Sequence, residues 1–320
     1  MAFTLSNNEF LANLTNLALQ VLTFDQVTFK QPFAVFKRQY TKWGDKIACV
    51  TAFAPAGQNY SSSANPFENH LPDVREVTIK TKLKRTYPLT LSNEILRGAF
   101  EDDNSLGVYL NTLLAQLVTF SEIDIYEQII TDFATLFTTA KPDTVLAPTV
   151  SKYMGIIKTG VLDSNTAVER YREILKTARE MKLPNQKYGL VGDGEAQKIA
   201  SAMGQDLVLI LTPEASALFD TYVNASLFNS KEIELSKSIK NVIVSDIDDL
   251  TSAPSGAPGT ISTSGTFAIL CTEDVYRYSP RIESMEVNRN GATMGQHYFY
   301  HIWTNMGFTG AGQIAYFSEN

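Results

Sequence analysis

The longest regular pattern of hydrophobic positions in the chain lies between residues 105 and 138. Apolar residues recur there at intervals of three and four without a proline, which is typical of an amphipathic helix. They are Leu106, Tyr109, Leu110, Leu113, Leu114, Leu117, Phe120, Ile125, Ile129, Ile130, Phe133, Leu136 and Phe137. At about 1.5 Å per residue the helix is roughly 50 Å long. The pattern keeps no strict heptads and acidic residues interrupt it, so it predicts neither a coiled coil nor a membrane span. The interrupting residues are Glu122, Asp124, Glu127 and Asp132.

Two strand-like segments before this helix predict a long hairpin over residues 43–91. Residues 46–53 are rich in β-branched and apolar side chains, and residues 74–83 alternate between apolar and polar. We expect one face to carry Val77, Ile79, Thr81 and Leu83, and the other Glu76, Thr78, Lys80, Lys82 and Lys84. The intervening residues 54–73 form a long loop rich in Pro, Gly, Ser and Asn. A ribbon of two strands is marginally stable alone, and the sequence suggests no partner within one subunit, so we expect a neighbouring subunit to support it.

The rest of the chain alternates between short helices and strands. Predicted helices cover 9–22, 93–100 (after a cap at Ser92), 166–182 (after a cap at 163–165), 195–203 and 213–222. Predicted strands cover 144–147, 188–191, 206–211, 241–246, 266–272, 284–289, 296–305 and 313–317. Residues 252–265 form a flexible loop by composition. The order of elements predicts an α+β fold with a compact α/β module at about 185–265.

Composition narrows the classes of protein that remain. Charged residues make up 19% of the chain, against about 25% in typical domains, which suits faces covered by neighbours. The net charge of −7 argues against phosphate binding by a basic face. Cys49 and Cys271 lie in apolar runs and are interpreted as two buried reduced thiols, with a disulfide as the alternative. The N-terminal residues lack the pattern of a secretory signal.

Three stretches contain residues of the kinds that form chemical sites. Residues 188–197 run from a strand through Gly192-Asp193-Gly194 into a helix, but Gln197 stands where a dinucleotide fingerprint needs its third glycine, so a tight turn is favoured. His297 and His301 have the spacing of a helical metal pair but lie in a predicted strand, which favours packed or interface histidines. The acidic residues Asp246, Asp248 and Asp249 lack calcium-loop spacing. We therefore predict no catalytic, cofactor or metal site, and no enzyme.

Taken in order, these segments resemble the major capsid protein of tailed bacteriophages, whose fold is shared with encapsulins and herpesvirus capsid proteins. The resemblance covers nearly the whole chain, and residues 89–96 (LTLSNEIL) look like the segment that joins the extended loop to the spine helix in these proteins. It implies an N-terminal arm (1–42), an extended loop (43–91), a peripheral domain (92–184 and 266–320) with spine helix 105–138, and an axial domain (185–265).

The resemblance also implies a function. Such a protein, expected here from a short-tailed phage, assembles in the host cytoplasm into pentamers and hexamers of an icosahedral virion head enclosing double-stranded DNA, without sequence-specific contacts. The loop 54–73 contains no lysine, so isopeptide locking is not expected, and non-covalent locking or a cement protein is implied. The short arm beginning at Met1 implies a separate scaffolding protein, and a portal is expected. The alternatives are an encapsulin shell and a soluble α/β nucleotide-binding enzyme.

Overall fold

The fold consists of two β-sheets and a long helix, as described by a computed structural model of the chain. The described residues are 31–38, 46–53, 71, 73–91, 103–139, 155–183, 188, 206–223, 239–244, 265–290, 295–310 and 312–319. Their helices are α1 (Asp103–Thr139), α2 (Ala167–Lys182) and α3 (Pro213–Leu218), with a 3-10 turn at Pro32–Phe36 and a π turn at Phe219–Val223. Their strands are β1 (Lys46–Phe53), β2 (Asp73–Leu91), β3 (Gly155–Lys158), β4 (Leu207–Leu211), β5 (Ile239–Ile243), β6 (Thr266–Thr272), β7 (Tyr276–Asn290), β8 (Gly295–Phe308) and β9 (Ile314–Ser318).

The first sheet is antiparallel and has the strand order β1-β2-β8-β7. Strand β2 pairs with β1 through residues 73–80 and with β8 from Thr81 to Leu91. The sequence predicted this strand to end at 83, and that boundary was wrong. Pro88 lies inside the strand opposite Phe299 of β8, in a part of β2 that has only this one neighbour because the pairing with β1 ends at Lys80. The hairpin is thus rooted in the protein's own sheet, and the expectation that one subunit offers it no support was wrong.

The second sheet is mixed and has the strand order β3-β9-β6-β4-β5. Its β3–β9 and β4–β5 pairs are parallel, and β6 runs antiparallel to both of its neighbours. The three central strands are buried on both faces, which explains why β4 and β6 read as nearly continuous apolar runs. Helices α2 and α3 cover one face of this sheet through residues such as Ile174, Leu175 and Ala215.

Helix α1 packs against both sheets in one hydrophobic core. Its buried residues Ile125, Ile129 and Phe133 join Tyr300 of the first sheet and Tyr316 of the second. This confirms the apolar face between Leu117 and Leu136, while the predicted side chains at 106, 109, 110, 114 and 137 lie outside the described ones. The helix itself extends only two residues before and one residue beyond the predicted 105–138. The assignment of Phe120 to that face was wrong, because its side chain is 54% exposed. No helix among the described residues is long and apolar enough to cross a membrane.

Other boundaries agree with the sequence to different degrees. The predicted bounds of β1 and β6 match, whereas β5 begins at Ile239 instead of 241 and β7 begins at Tyr276 instead of 284. The short strand β3 was not predicted. The predictions for 9–22, 54–70, 92–100, 144–147, 189–191, 195–203 and 252–264 lie outside the described residues.

Candidate functional site

The hairpin of β1 and β2 presents two different faces. Val77 and Ile79 point toward the body, and Ile79 is only 2% exposed. On the opposite face Val50 is 62% and Val74 is 58% exposed. Val50 lies opposite Glu76 and Ala52 opposite Val74, so the two valines are diagonal neighbours on one face of the ribbon. The predicted alternation is confirmed for residues 76–80, but the assignment of Lys82 to the outer face was wrong, because Lys82 contacts α1 at the register shift between Thr81 and Leu83. The outer face carries apolar side chains that nothing in the described part of one subunit covers.

The base of the hairpin is held against α1 by polar contacts. Asp124, Gln128 and Asp132 of α1 are four residues apart and therefore lie on one side of the helix. Asp124 and Asp132 contact β2, and Gln128 donates a hydrogen bond to Asp132. The ammonium group of Lys82 lies 2.7 Å from Asp132 Oδ2. The Tyr87 hydroxyl donates a hydrogen bond to Asp124. These carboxylates, which interrupt the apolar pattern of the helix, are therefore the groups that bind the hairpin strand.

Asp132 is the most buried of these carboxylates, with a side chain that is 7% exposed. Besides Lys82, its oxygens accept hydrogen bonds from the Tyr276 hydroxyl at 2.8 Å and from Gln128 Nε2 at 3.1 Å. Burial, followed by the negative charge of Asp132, raises the pKa of Tyr276 well above its ordinary value. Tyr276 therefore stays neutral and donates, and the buried charge is fully paired, as burial demands.

The tyrosines of the first sheet follow the same rule. The Tyr300 hydroxyl donates to Glu283 at 2.8 Å on the helix-facing side. Burial raises the pKa of both Tyr87 and Tyr300, and the neighbouring carboxylates raise it further. Each phenol is thus a structural donor, and neither is prepared to act as a base or a nucleophile.

The predicted histidines lie on one face of β8 with Phe299 between them. Their rings stand 6.4 Å (His297) and 6.3 Å (His301) from the Phe299 ring, centroid to centroid. Each Nδ1 lies 2.9 Å from a threonine hydroxyl of β2, His297 from Thr90 and His301 from Thr86. They are packed side chains, as the strand interpretation predicted. Within the described ranges, no three His, Cys, Asp or Glu side chains are grouped to hold a metal.

The remaining candidate residues divide between described and undescribed parts of the chain. Cys49 and Cys271 are both free thiols, which confirms the reduced interpretation, although Cys49 is only half-buried. Burial raises the pKa of both thiols, so neither is an activated nucleophile. Residues 192–194 and Asp246, Asp248 and Asp249 lie outside the described residues.

Sequence reasoning did not find the polar contacts at the hairpin base. A signal existed, because Asp124, Gln128 and Asp132 repeat every fourth position within an otherwise apolar helix face. Their partners in β2 lie more than 35 residues away in sequence, and only the tertiary pairing reveals them.

The fold is similar to that of chains in solved phage structures. A chain from the capsid structure of Staphylococcus phage Andhra aligns with a TM-score of 0.65 and 12% identity, covering 92% of this chain and 86% of that chain. A chain from the structure of the head fiber and inner core protein of native bacteriophage P68 aligns with a TM-score of 0.66 and 10% identity, covering 93% and 86%. The fold is therefore the mixed α/β fold of phage capsid proteins.

The sequence comparisons identify the protein family. Residues 1–318 match the Phi29-like phage major capsid protein family, and the chain belongs to this family. It is 24% identical to the major capsid protein of Bacillus phage PZA over 320 residues, which are 97% of this chain and 64% of that protein. The chain thus spans less than two thirds of this relative's length. The predicted resemblance to phage major capsid proteins is confirmed, and the encapsulin alternative is not favoured.

Proposed function

We propose that the protein is a structural subunit that assembles with its own copies into the pentamers and hexamers of an icosahedral phage head enclosing double-stranded DNA. Family membership and the capsid fold support this function. The observation that carries it is the outer face of the hairpin, where Val50 and Val74 are exposed side by side. A neighbouring subunit that buries these side chains gains hydrophobic contact area, and obligate interfaces are rich in such contacts.

The domains of this proposal follow the capsid arrangement. We assign residues 1–42 to an N-terminal arm, 43–91 to an extended loop, 92–184 and 266–320 to a peripheral domain, and 185–265 to an axial domain. The first sheet on α1 supports the peripheral assignment. The second sheet takes β4 and β5 from the axial segment and β6 and β9 from the peripheral one, so a shared sheet joins these two domains.

The proposed partners follow from the same function. A separate scaffolding protein would guide assembly, a portal would occupy one vertex, and a cement protein or non-covalent contacts would lock the shell. The net charge of −7 supports packaged DNA that is enclosed without tight binding. We place the protein in the virion after assembly in the host cytoplasm, in a structural role without catalysis.

Assembly of the purified protein tests the proposal. Light scattering and negative-stain microscopy, with and without a co-expressed scaffolding protein, should show shells or rings of five or six subunits. The double variant Val50→Asp/Val74→Asp should remain as single subunits with an unchanged melting temperature, since a charge on the exposed face disturbs only the contact between subunits.

Val161→Asp is the matched control, because Val161 is 63% exposed and lies outside the hairpin. It should assemble as the wild type does. Shells formed equally well by the hairpin variant would contradict the proposed contact. A wild-type protein that stays monomeric with scaffold and binds a nucleotide would instead support the α/β enzyme.

A further inference from the structure

Strand β2 changes its pairing partner at one point. Residues up to Lys80 pair with β1, and residues from Thr81 onward pair with β8. The pairing register with β8 shifts between Thr81 and Leu83, so Lys82 stands in an irregularity of the ladder. Irregularities of this kind bend a strand and weaken the local ladder. The part of β2 that pairs with β1 is therefore joined to the first sheet through a bend, and backbone hydrogen bonds alone do not determine the angle of that bend.

A side-chain contact spans this bend. The Nζ atom of Lys82 lies 2.7 Å from Oδ2 of Asp132 on α1. The two other donors to Asp132, Tyr276 and Gln128, belong to the body and do not involve the hairpin strand. Removing the lysine therefore leaves the carboxylate with two hydrogen bonds from the body, while the hairpin strand loses its contact with Asp132.

The inner face of the hairpin contacts the body at a second point. Gly310 has a φ of +71°, and a side-chain carbon at this position would overlap the Val77 side chain. Ile79 is buried next to Gly307. A methyl group added at Gly307 would lie 3.8 Å from Ile79 Cγ2, which is an ordinary contact distance. Val77 thus rests directly on the backbone at Gly310. On the opposite face of the ribbon, the side chains of Val74 and Val50 are exposed.

We propose that the Lys82–Asp132 ion pair and the Val77–Gly310 contact form a two-point clamp that fixes the direction of the hairpin in the unassembled subunit. A hairpin held in one direction loses less conformational entropy when it meets a neighbour, so the clamp prepares the subunit for assembly. This inference rests on the proposed function for its consequence, but the clamp itself is a property of the single subunit.

Amide hydrogen exchange on subunits kept too dilute to assemble tests the clamp. Lys82→Met should raise exchange at 46–53 and 73–80 by at least about fivefold while α1 and residues 83–91 stay protected. Lys80→Met is the matched control, since Lys80 is exposed two residues away on the same strand, and it should exchange as the wild type does. Unchanged exchange in the hairpin of Lys82→Met would overturn the clamp, and so would an equal rise throughout α1.

Gly310→Ala examines the second point independently, because its methyl group displaces Val77. It should also raise exchange at 73–80 while the melting temperature shows that the body remains folded, and a folded variant with wild-type exchange there would overturn that contact. Assembly is then measured separately. Loosened hairpins that still form normal shells would leave the clamp intact and contradict its role in assembly, whereas a wild type that never assembles would contradict only the proposed function.

Discussion

The hydroxyl group of Tyr316 donates a hydrogen bond to the main-chain carbonyl of Phe133, with 2.8 Å between the two oxygens. Tyr316 lies in β9 of the second sheet, and Phe133 lies on the buried face of α1. The Phe133 ring in turn packs on Tyr276 and Phe308 of the first sheet, with centroids 5.4 and 5.2 Å away. This pair of residues therefore joins both sheets through one turn of the long helix.

Replacement of Tyr316 by phenylalanine should weaken this connection without creating a cavity. The Tyr316→Phe variant keeps the ring and loses one buried hydrogen bond, so the free energy of unfolding should fall by about 1 kcal/mol. Urea denaturation followed by circular dichroism measures it. Tyr222→Phe, at a tyrosine that is 40% exposed, is the control and should change little. Equal effects of the two variants would show that the bond to Phe133 contributes nothing.

Gly312 has a conformation and surroundings that exclude a side chain. Its φ is +93°, and an added methyl would overlap Thr272 Oγ1 and lie 2.9 Å from Val275 Cγ2. Gly312→Ala should therefore lower the free energy of unfolding by roughly 2 kcal/mol or more. In Gly307→Ala the methyl meets only Ile79 at ordinary contact distance, so that variant should retain most of its stability. The melting temperatures of both variants test this prediction. A Gly312→Ala protein as stable as Gly307→Ala would contradict the steric argument.

The two cysteines should differ in their reaction with a thiol reagent. Cys271 is fully buried in the central strand β6, and its raised pKa keeps it protonated. Cys49 is half-buried on β1, and burial raises its pKa as well. In the native subunit we expect slow labelling of Cys49 and none of Cys271, and rapid labelling of both in denaturant. Mass spectrometry of the labelled peptides gives the order, which would be reversed if Cys271 belonged to an open site.

Local sequence patterns were sufficient to predict the elements that depend only on which of their faces is buried. The period-two alternation of 77–84 predicted which side of β2 is buried, because the hydrophobic contrast between the two faces depends on the strand alone. The spacing of apolar residues predicted the bounds of the long helix α1 equally well. The boundaries that failed depend on distant partners: β2 continues past Pro88 because β8 pairs with it, and no local signal marked β3.

The site was less predictable than the fold for the same reason. The sequence identified the hairpin as the feature needing a partner, and the exposed face of Val50 and Val74 agrees with that. It did not show that Lys82 and Asp132 pair, since charges in an apolar helix identify no particular partner. Phe33 and Phe36 show the same limit, because their segment has no period and yet both rings lie in the core.

The start of α2 should give the subunit a specific acid sensitivity. The Asp163 carboxylate accepts hydrogen bonds from the backbone N–H groups of Thr166 and Asn165, both at 2.8 Å, and from the Thr166 hydroxyl at 3.0 Å. The hydrogen bonds from Thr166, followed by that from Asn165, lower the pKa of Asp163 below its ordinary value of 3.8. The charged form is therefore the one that stabilises the folded state.

Because the folded pKa is the lower one, this stabilisation is fully present above the ordinary pKa and is lost as the pH falls through the lowered value. Asp163→Ala should melt at a lower temperature than the wild type at pH 7, and the difference should shrink below about pH 4, where the carboxylate of the unfolded chain becomes protonated. Melting temperatures of both proteins measured from pH 7 to the acid limit of reversible unfolding test this. Asp163→Asn, which keeps an acceptor oxygen but no charge, should lie between them at pH 7. A difference between wild type and Asp163→Ala that stays constant with pH would mean that the turn depends on the shape of the side chain and not on its charge.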